Sequence, residues 1–338
     1  MSIRTRGSNS SIKTVVVGLG RIGLGSSKSS ALAANPRKED SHVMTLLKQK
    51  NFRLIAGVDL SNEKRSEFER VAQCKAFETI NDFIVKENKV DLVVVATPTM
   101  SHKEIVQEAL LKLVPKVLVC EKPMGLDENE TMEIVSICKE KEVIWYPGYF
   151  RVYDPLIMEL RRRIAHGEFG KFVEGKVFYG QDLRNNGCHF LHLTLSLVTS
   201  VTKGLELERV HVYDPSNPIF FLRMGNGAHL SVIGVGSDLR RTGEILLCFE
   251  KGMISYENGG ARVRVATKEP SKTWWTRSDE SYVGKSSTGI VNLYKTIQNH
   301  FRGKELRFLC EQGGHTEIAT QAIISAALNQ NLGTISIS

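Results

Sequence analysis

The 338-residue chain has little that would cross-link or anchor it. Its six cysteines (Cys74, Cys120, Cys138, Cys188, Cys248 and Cys310) are scattered and form no C-x-x-C pair. A chain of this length builds a core without staples, so reduced thiols and a cytoplasmic setting are expected. No apolar run approaches the ~20 residues that a membrane helix needs, so no membrane partner is expected. Met1 to Lys13 contain Arg4 and Arg6 but no apolar stretch ahead of the first strand, which argues against a signal peptide. There is no internal repeat and no long low-complexity linker; Ser26–Ser30 comes nearest. The net charge of +8 is dispersed apart from Arg161-Arg162-Arg163 and Arg240-Arg241. Nucleic acid would need clustered basic residues interleaved with stacking aromatics, so it is not expected, and an acidic small molecule fits the charge better.

What is present reads as two domains. Short apolar runs at Thr14–Val17, Arg53–Val58, Asp91–Ala96, Lys116–Cys120 and Val143–Trp145 alternate with helical patterns. Those helices are predicted at Val43–Lys50, Glu63–Val71, Ile80–Glu87, His102–Leu113 and Asn129–Lys141. Continuous apolar strands between helices predict an α/β fold, a doubly wound parallel sheet, over 1–148. After Gly148 the pattern changes. A helix at Asp154–Ala165 is followed by closely spaced strands at Phe172–Gly180, Leu205–Tyr213, Ile219–Met224, Ala228–Gly234, Glu244–Glu250, Gly252–Tyr256 and Arg262–Thr267. Helices at His189–Leu197, Thr288–Phe301 and Thr316–Leu328 would cover one face. Residues 149–338 are therefore expected to form a second α/β domain with a large, mainly antiparallel open sheet.

Gly18-Leu19-Gly20-Arg21-Ile22-Gly23 follows the first strand, where a dinucleotide fingerprint belongs. Gly18, Gly20 and Gly23 permit a tight turn and close approach, and the N–H groups around Arg21 and Ile22 can meet a pyrophosphate. No helix follows directly: a small, polar stretch runs to Asp40, as if a loop were inserted before Ser41-His42. Asp59 ends the second strand and suits the adenosine ribose hydroxyls while repelling a 2′-phosphate, which favours NAD over NADP. It lies thirty-six residues beyond Gly23, against about 20 in the usual fingerprint, and the insertion would account for the excess. Thr97 and Pro98 end the third strand, with Ser101 and His102 opening the next helix. Glu121-Lys122-Pro123 ends the fourth strand. A lysine there can exchange a proton with a substrate hydroxyl or simply orient it.

These segments, with Arg151 and Pro155 after them, recur in this order in the Gfo/Idh/MocA family, which the chain resembles over nearly its whole length. The resemblance implies a Rossmann domain, then an α/β domain whose open sheet makes a homodimer or homotetramer. It implies NAD as cofactor and oxidoreductase activity on CH–OH groups in carbohydrate metabolism. Thr97, Pro98, His102, Glu121 and Lys122 would then line the cofactor's reacting end. The inserted loop is similar to that of members found in surface-polysaccharide biosynthesis. Family members usually carry Asp-x-Gly-x-His-x-x-Asp in the second domain, and this chain has Asn185-Asn186-Gly187-Cys188-His189-Phe190-Leu191-His192. His189 keeps the histidine position and is a catalytic candidate beside Lys122. Asn185 and His192 stand at the acidic positions; Asn185 hydrogen-bonds but takes no proton. Asp182, Arg184 and Arg151 complete the expected substrate set, the arginines facing an anionic group.

Cys188, His189 and His192 also have metal-ligand chemistry, but only Asp182 is available as a fourth ligand and no metal is expected. The leading expectation is an NAD-dependent oxidoreductase of a sugar, cyclitol or sugar nucleotide, with Lys122 and His189 moving the proton. Two rivals stand beside it: an NAD-recycling lyase, epimerase or glycosidase on the same fold, and a non-catalytic NAD-binding protein.

Overall fold

The computed structural model describes residues 11–25, 41–84, 89–198, 204–236, 243–267, 280–283, 289–303 and 307–335. The body of the inserted loop, Arg240-Arg241 and Trp274-Trp275 lie outside the described residues. The first part runs β1 (Ile12–Val17), α1 (His42–Leu47), β2 (Phe52–Val58), α2 (Asn62–Ala72), β3 (Ala76–Phe77), α3 (Ile80–Ile84), β4 (Leu92–Val95), α4 (His102–Lys112), β5 (Val117–Cys120), α5 (Glu128–Glu140) and β6 (Ile144–Pro147). The strands are all parallel, in the order β3-β2-β1-β4-β5-β6. Every residue of β4 and β5 is buried, which is why these strands read as unbroken apolar runs. Chain order reverses on either side of β1, so a crevice opens beyond the carboxyl ends of β1 and β4. The two-residue β3 is too short to have produced a period in the sequence.

The second part runs α6 (Pro155–Ala165), β7 (Phe172–Tyr179), α7 (Cys188–Val198), β8 (Leu205–His211), β9 (Ile219–Met224), β10 (His229–Gly234), β11 (Gly243–Phe249), β12 (Gly252–Glu257), β13 (Arg262–Thr267) and β14 (Glu280–Val283). Then come α8 (Gly289–Phe301), α9 (Arg307–Asn329) and β15 (Gly333–Ile335). Nine strands form one sheet, ordered β14-β13-β12-β11-β7-β10-β9-β8-β15. It is antiparallel except where β7 pairs parallel to β10. Side chains alternate between a buried face, against which α7 packs, and a half-open one. On the open face Ile219, Ile233 and Phe178 stand in register across β9, β10 and β7.

Contacts divide the chain into two units, one comprising Met1–Gly148 with Ile290–Gly314, the other Tyr149–Gly289 with His315–Ser338. Residues 290–314, expected with the second domain, cluster with the first. The tie is aromatic: Tyr294 of α8 meets Phe52 edge-on at 5.4 Å and His42 at 5.9 Å. No helix among the described residues is long and apolar enough to cross a membrane.

The expected helix from Thr316 begins earlier, at Arg307. The added turns carry Gly313-Gly314, and glycine weakens a helix interior. Packing overrides propensity here. A Cβ on Gly314 would stand 2.9 Å from Trp145 Nε1, so the glycine makes room for an indole. This sets two effects in opposition. Gly314→Ala gains about 1 kcal/mol of helix propensity but overpacks the indole at about 1–3 kcal/mol. We expect a net loss, read as a lower denaturant midpoint; a gain would mean that the glycine is not there for packing.

Candidate active site

The glycine turn is built by close approach. Gly18 has φ +91°, and a Cβ there would lie 2.6 Å from the main chain of Ala96 and Thr97, so only glycine lets β1 turn past the end of β4. Gly20 differs. A Cβ there would meet nothing nearer than Lys64 Nζ at 3.6 Å, which leaves open space suited to a pyrophosphate. Arg21 is exposed and Ile22 half-buried beside it. After one turn the chain leaves at Gly25 and returns at Ser41, whose hydroxyl donates to Leu24 O at 2.8 Å. The N–H groups of His42 and Val43 then donate to Ile22 O and Gly23 O, both at 2.9 Å. His42 thus stands where residue 26 would in an unbroken helix. The excursion adds sixteen residues, and without it the thirty-six from Gly23 to Asp59 return to the usual ~20.

Asp59 closes the turn from the other side. Its Oδ2 accepts from Leu19 N–H at 2.7 Å and its Oδ1 from Ser61 N–H at 2.8 Å. Each oxygen keeps a lone pair for a ribose hydroxyl. Arg65, a conceivable phosphate partner, donates instead to the carbonyls of Asp59 and Leu60 at 2.8 and 2.9 Å. At the end of β4, Thr97 Oγ1 is buried and has no hydrogen-bond partner among the described residues. A buried hydroxyl without a partner, an open glycine and a strand-end carboxylate fit a dinucleotide. Pro98 is exposed, and Ser101 donates to Pro98 O at 2.8 Å rather than capping α4.

Two expected cofactor contacts have other work. His102 is 1% exposed, with Nδ1 2.9 Å from Pro123 O and Nε2 2.8 Å from Thr97 O, so no ring nitrogen is left for a cofactor. Glu121 is buried, with Oε1 3.0 Å from His42 Nε2 and Oε2 accepting from Lys122 N–H at 3.2 Å. Its carboxylate therefore faces into the protein. Gly148 lacks a Cβ for the same reason: one would stand 2.9 Å from Glu121 Oε2. His42 Nδ1 lies 2.6 Å from the Tyr294 hydroxyl, and both side chains are fully buried. Burial, and then the Glu121 carboxylate, push Tyr294 well above the ordinary phenol range. Lys122 is half-buried, just past β5, and the Lys122–Pro123 peptide is cis. Neither His42 nor Tyr294 was legible as a site residue, because they lie 79 and 252 positions from their partners.

The second unit holds the rest of the expected set. Asp182 Oδ1 accepts from Asn185 N–H at 2.6 Å, opening a π-helical turn at Leu183–Gly187 that runs into α7. Such turns gather at functional sites. This one leaves Arg184 and Asn185 exposed, Asp182 and His189 half-buried, and ties Asn186 Nδ2 to Gly180 O at 2.9 Å. Tyr149, which sequence reasoning missed, organises the histidines: its ring meets His189 edge-on at 5.5 Å and stacks on His192 at 3.9 Å. His192 is 1% exposed, so it is a packed ring and not the substrate contact expected of it. Burial first, then Glu317 and Cys188, push the Tyr149 hydroxyl well above its ordinary range. Arg151, expected on substrate, lies with its guanidinium 4.8 Å over the Phe190 ring and beside Tyr256. That is a cation–π brace.

Against known proteins, residues 12–149 match the oxidoreductase family GFO_IDH_MocA, NAD-binding Rossmann fold. A scyllo-inositol 2-dehydrogenase (NAD(+)) from Bacillus subtilis is 32% identical over 95 residues, covering 28% of this chain and 27% of that protein. A 2,7-anhydro-N-acetylneuraminate hydratase from Escherichia coli is 32% identical over 104 residues, 31% of this chain and 27% of the hydratase. The matched stretches thus span about a quarter of these relatives' length. The WlbA dehydrogenase from Bordetella pertussis, crystallised with NADH and UDP-GlcNAcA, superposes with a TM-score of 0.70 at 18% identity, covering 94% of this chain and 96% of that one. At that identity the likeness is one of fold. Residues 12–149, which carry the glycine turn, Asp59 and Thr97 arranged as an NAD site, are thus similar to the NAD-binding Rossmann part of the Gfo/Idh/MocA oxidoreductase family.

Proposed function

We propose that the chain is an NAD-dependent oxidoreductase of a CH–OH group on a sugar, cyclitol or sugar nucleotide. The observation that carries the reading is the position of Lys122. It follows β5 at the carboxyl edge of the parallel sheet, one strand from Thr97 and two from the glycine turn. The inositol dehydrogenase relative and the UDP-sugar complex of the WlbA dehydrogenase support the substrate class.

When bound, NAD supplies the carbon that accepts or returns hydride. The main chain of residues 18–23 binds the pyrophosphate, Asp59 the adenosine ribose, and Thr97 Oγ1 offers one further hydrogen bond. Lys122 exchanges the proton of the reacting hydroxyl, general acid–base work worth ~10²–10⁴-fold. His189, in the second unit, is the other candidate for holding a substrate hydroxyl or its proton. Asp182 and Asn185 hydrogen-bond the substrate, and Arg184 meets an anionic group on it.

Two observations favour rivals. One relative is a hydratase, which fits a cycle in which NAD is reduced and then reoxidised. Asn185 and His192 at family acidic positions fit a binding protein without turnover. A panel of inositols, sugars and UDP-sugars, followed by near-ultraviolet absorbance of reduced nicotinamide, separates them. Net reduction supports the oxidoreductase, product without net reduction the recycling enzyme, and no product the binding protein.

Three outcomes are expected. Calorimetry should give tighter binding of NAD(H) than of NADP(H); equal or stronger NADP(H) binding removes Asp59 from the ribose. Lys122→Ala should lose ~10²–10⁴-fold in turnover while dinucleotide affinity stays nearly unchanged, and an active variant would defeat the mechanism. The open face carrying Ile219, Ile233 and Phe178 should pair with a second copy, giving a dimer or tetramer at micromolar concentration. Sedimentation of the wild type and of Ile233→Glu tests this, and a wild type that is only monomeric contradicts it.

A further inference from the structure

We propose that two buried histidines, His42 and His102, grip Glu121-Lys122-Pro123 from either side and are positioning residues for Lys122. The proposal rests on reading Lys122 as the proton-transfer group, and adds what fixes it in place.

Each member of the tripeptide has a polar tie. Glu121 Oε1 is 3.0 Å from His42 Nε2, Lys122 N–H donates to Glu121 Oε2 at 3.2 Å, and Pro123 O is 2.9 Å from His102 Nδ1. Each histidine reaches outward with its other side. The main-chain N–H of His42 donates to Ile22 O at 2.9 Å, and His102 Nε2 lies 2.8 Å from Thr97 O. One histidine therefore joins Lys122 to the glycine turn and the other joins it to the Thr97 turn. Both of those segments are assigned to the dinucleotide.

Glu121 sets the sense of the first arm. The Glu121 carboxylate accepts only, so the tautomer that suits it carries Nε2–H, and in the neutral ring Nδ1 is then left to accept from the Tyr294 hydroxyl 2.6 Å away. His42 and Tyr294 are fully buried, His102 is 1% and Glu121 7% exposed. A partner lost here is not replaced cheaply by water. Lys122 thus has one main-chain position relative to both segments, and a shift of about 1 Å in such a group costs ~10²-fold in rate.

The test uses the full chain and five variants: His42→Leu, His42→Gln, His102→Leu, Tyr294→Phe and Lys122→Ala. The wild type and the four histidine and tyrosine variants are labelled with an amine-acetylating reagent, and mass spectrometry reads the rate at Lys122 relative to exposed Lys50; Lys122→Ala is assayed for turnover only. We expect a several-fold change in His42→Leu and His102→Leu and a smaller one in Tyr294→Phe, whose ring still fills its place against Phe52. The amide of His42→Gln can still donate to Glu121 and should return the rate towards wild type. With a substrate from the panel, kcat should fall in the leucine variants while NAD affinity falls less. An unchanged Lys122 rate in His42→Leu, His102→Leu and Tyr294→Phe overturns the proposal. So does a glutamine variant that behaves like leucine, since the histidine would then act by volume alone. The two readings fail separately: an active Lys122→Ala sinks the catalytic role, whereas an inactive Lys122→Ala together with unmoved Lys122 labelling in the histidine variants sinks only the grip.

Discussion

A buried carboxylate is the constraint around which the first unit is arranged. Glu121 ends β5 facing inward, where an unpaired charge costs several kcal/mol. Both of its oxygens must be met by donors. One donor comes from the adjacent Lys122 main chain and the other from His42, which enters only because α1 resumes against the glycine turn. Gly148 has no side chain because the carboxylate occupies that space, and Tyr294 is drawn from α8 to complete the histidine. Four separated stretches of sequence thus answer to one desolvated group.

The second unit uses aromatic surface for the same purpose. Tyr149 presents its face to His192 and its edge to His189, while Arg151 lies over Phe190 on the same helix as the two histidines. At His192, where the resemblance would put a second acidic group, the chain has a stacked ring. That leaves His189 as the histidine of the pair with an exposed portion.

Much of this was legible in the sequence, for definite reasons. The apolar runs of β4 and β5 read as buried parallel strands because both of their faces are covered. The glycine turn and Asp59 read as a dinucleotide site because local backbone geometry demands those residue types. The alternation after Gly148 read as an open sheet because one face is half-wetted. What escaped was long-range. His42 gave no local sign of its tie to Glu121, and His102 looked like a cofactor contact because its role is fixed by two carbonyls that no side-chain pattern encodes. The earlier start of the last long helix escaped as well, since propensity is local and the indole that needs the space at Gly314 is 169 positions away.

The first unit's two-piece construction bears on how the protein is made. Its parallel sheet is complete once β6 has emerged, yet Tyr294 lies 252 positions beyond His42. Tyr294 follows the end of β6 by 147 residues, so at about 5–20 residues per second of synthesis the nascent sheet waits ~7–30 s for that phenol. During that interval the ribosome delivers the whole run from β7 to β14. The hydroxyl that meets His42 Nδ1 is therefore supplied only after the strands of the second sheet up to β14 have been synthesised.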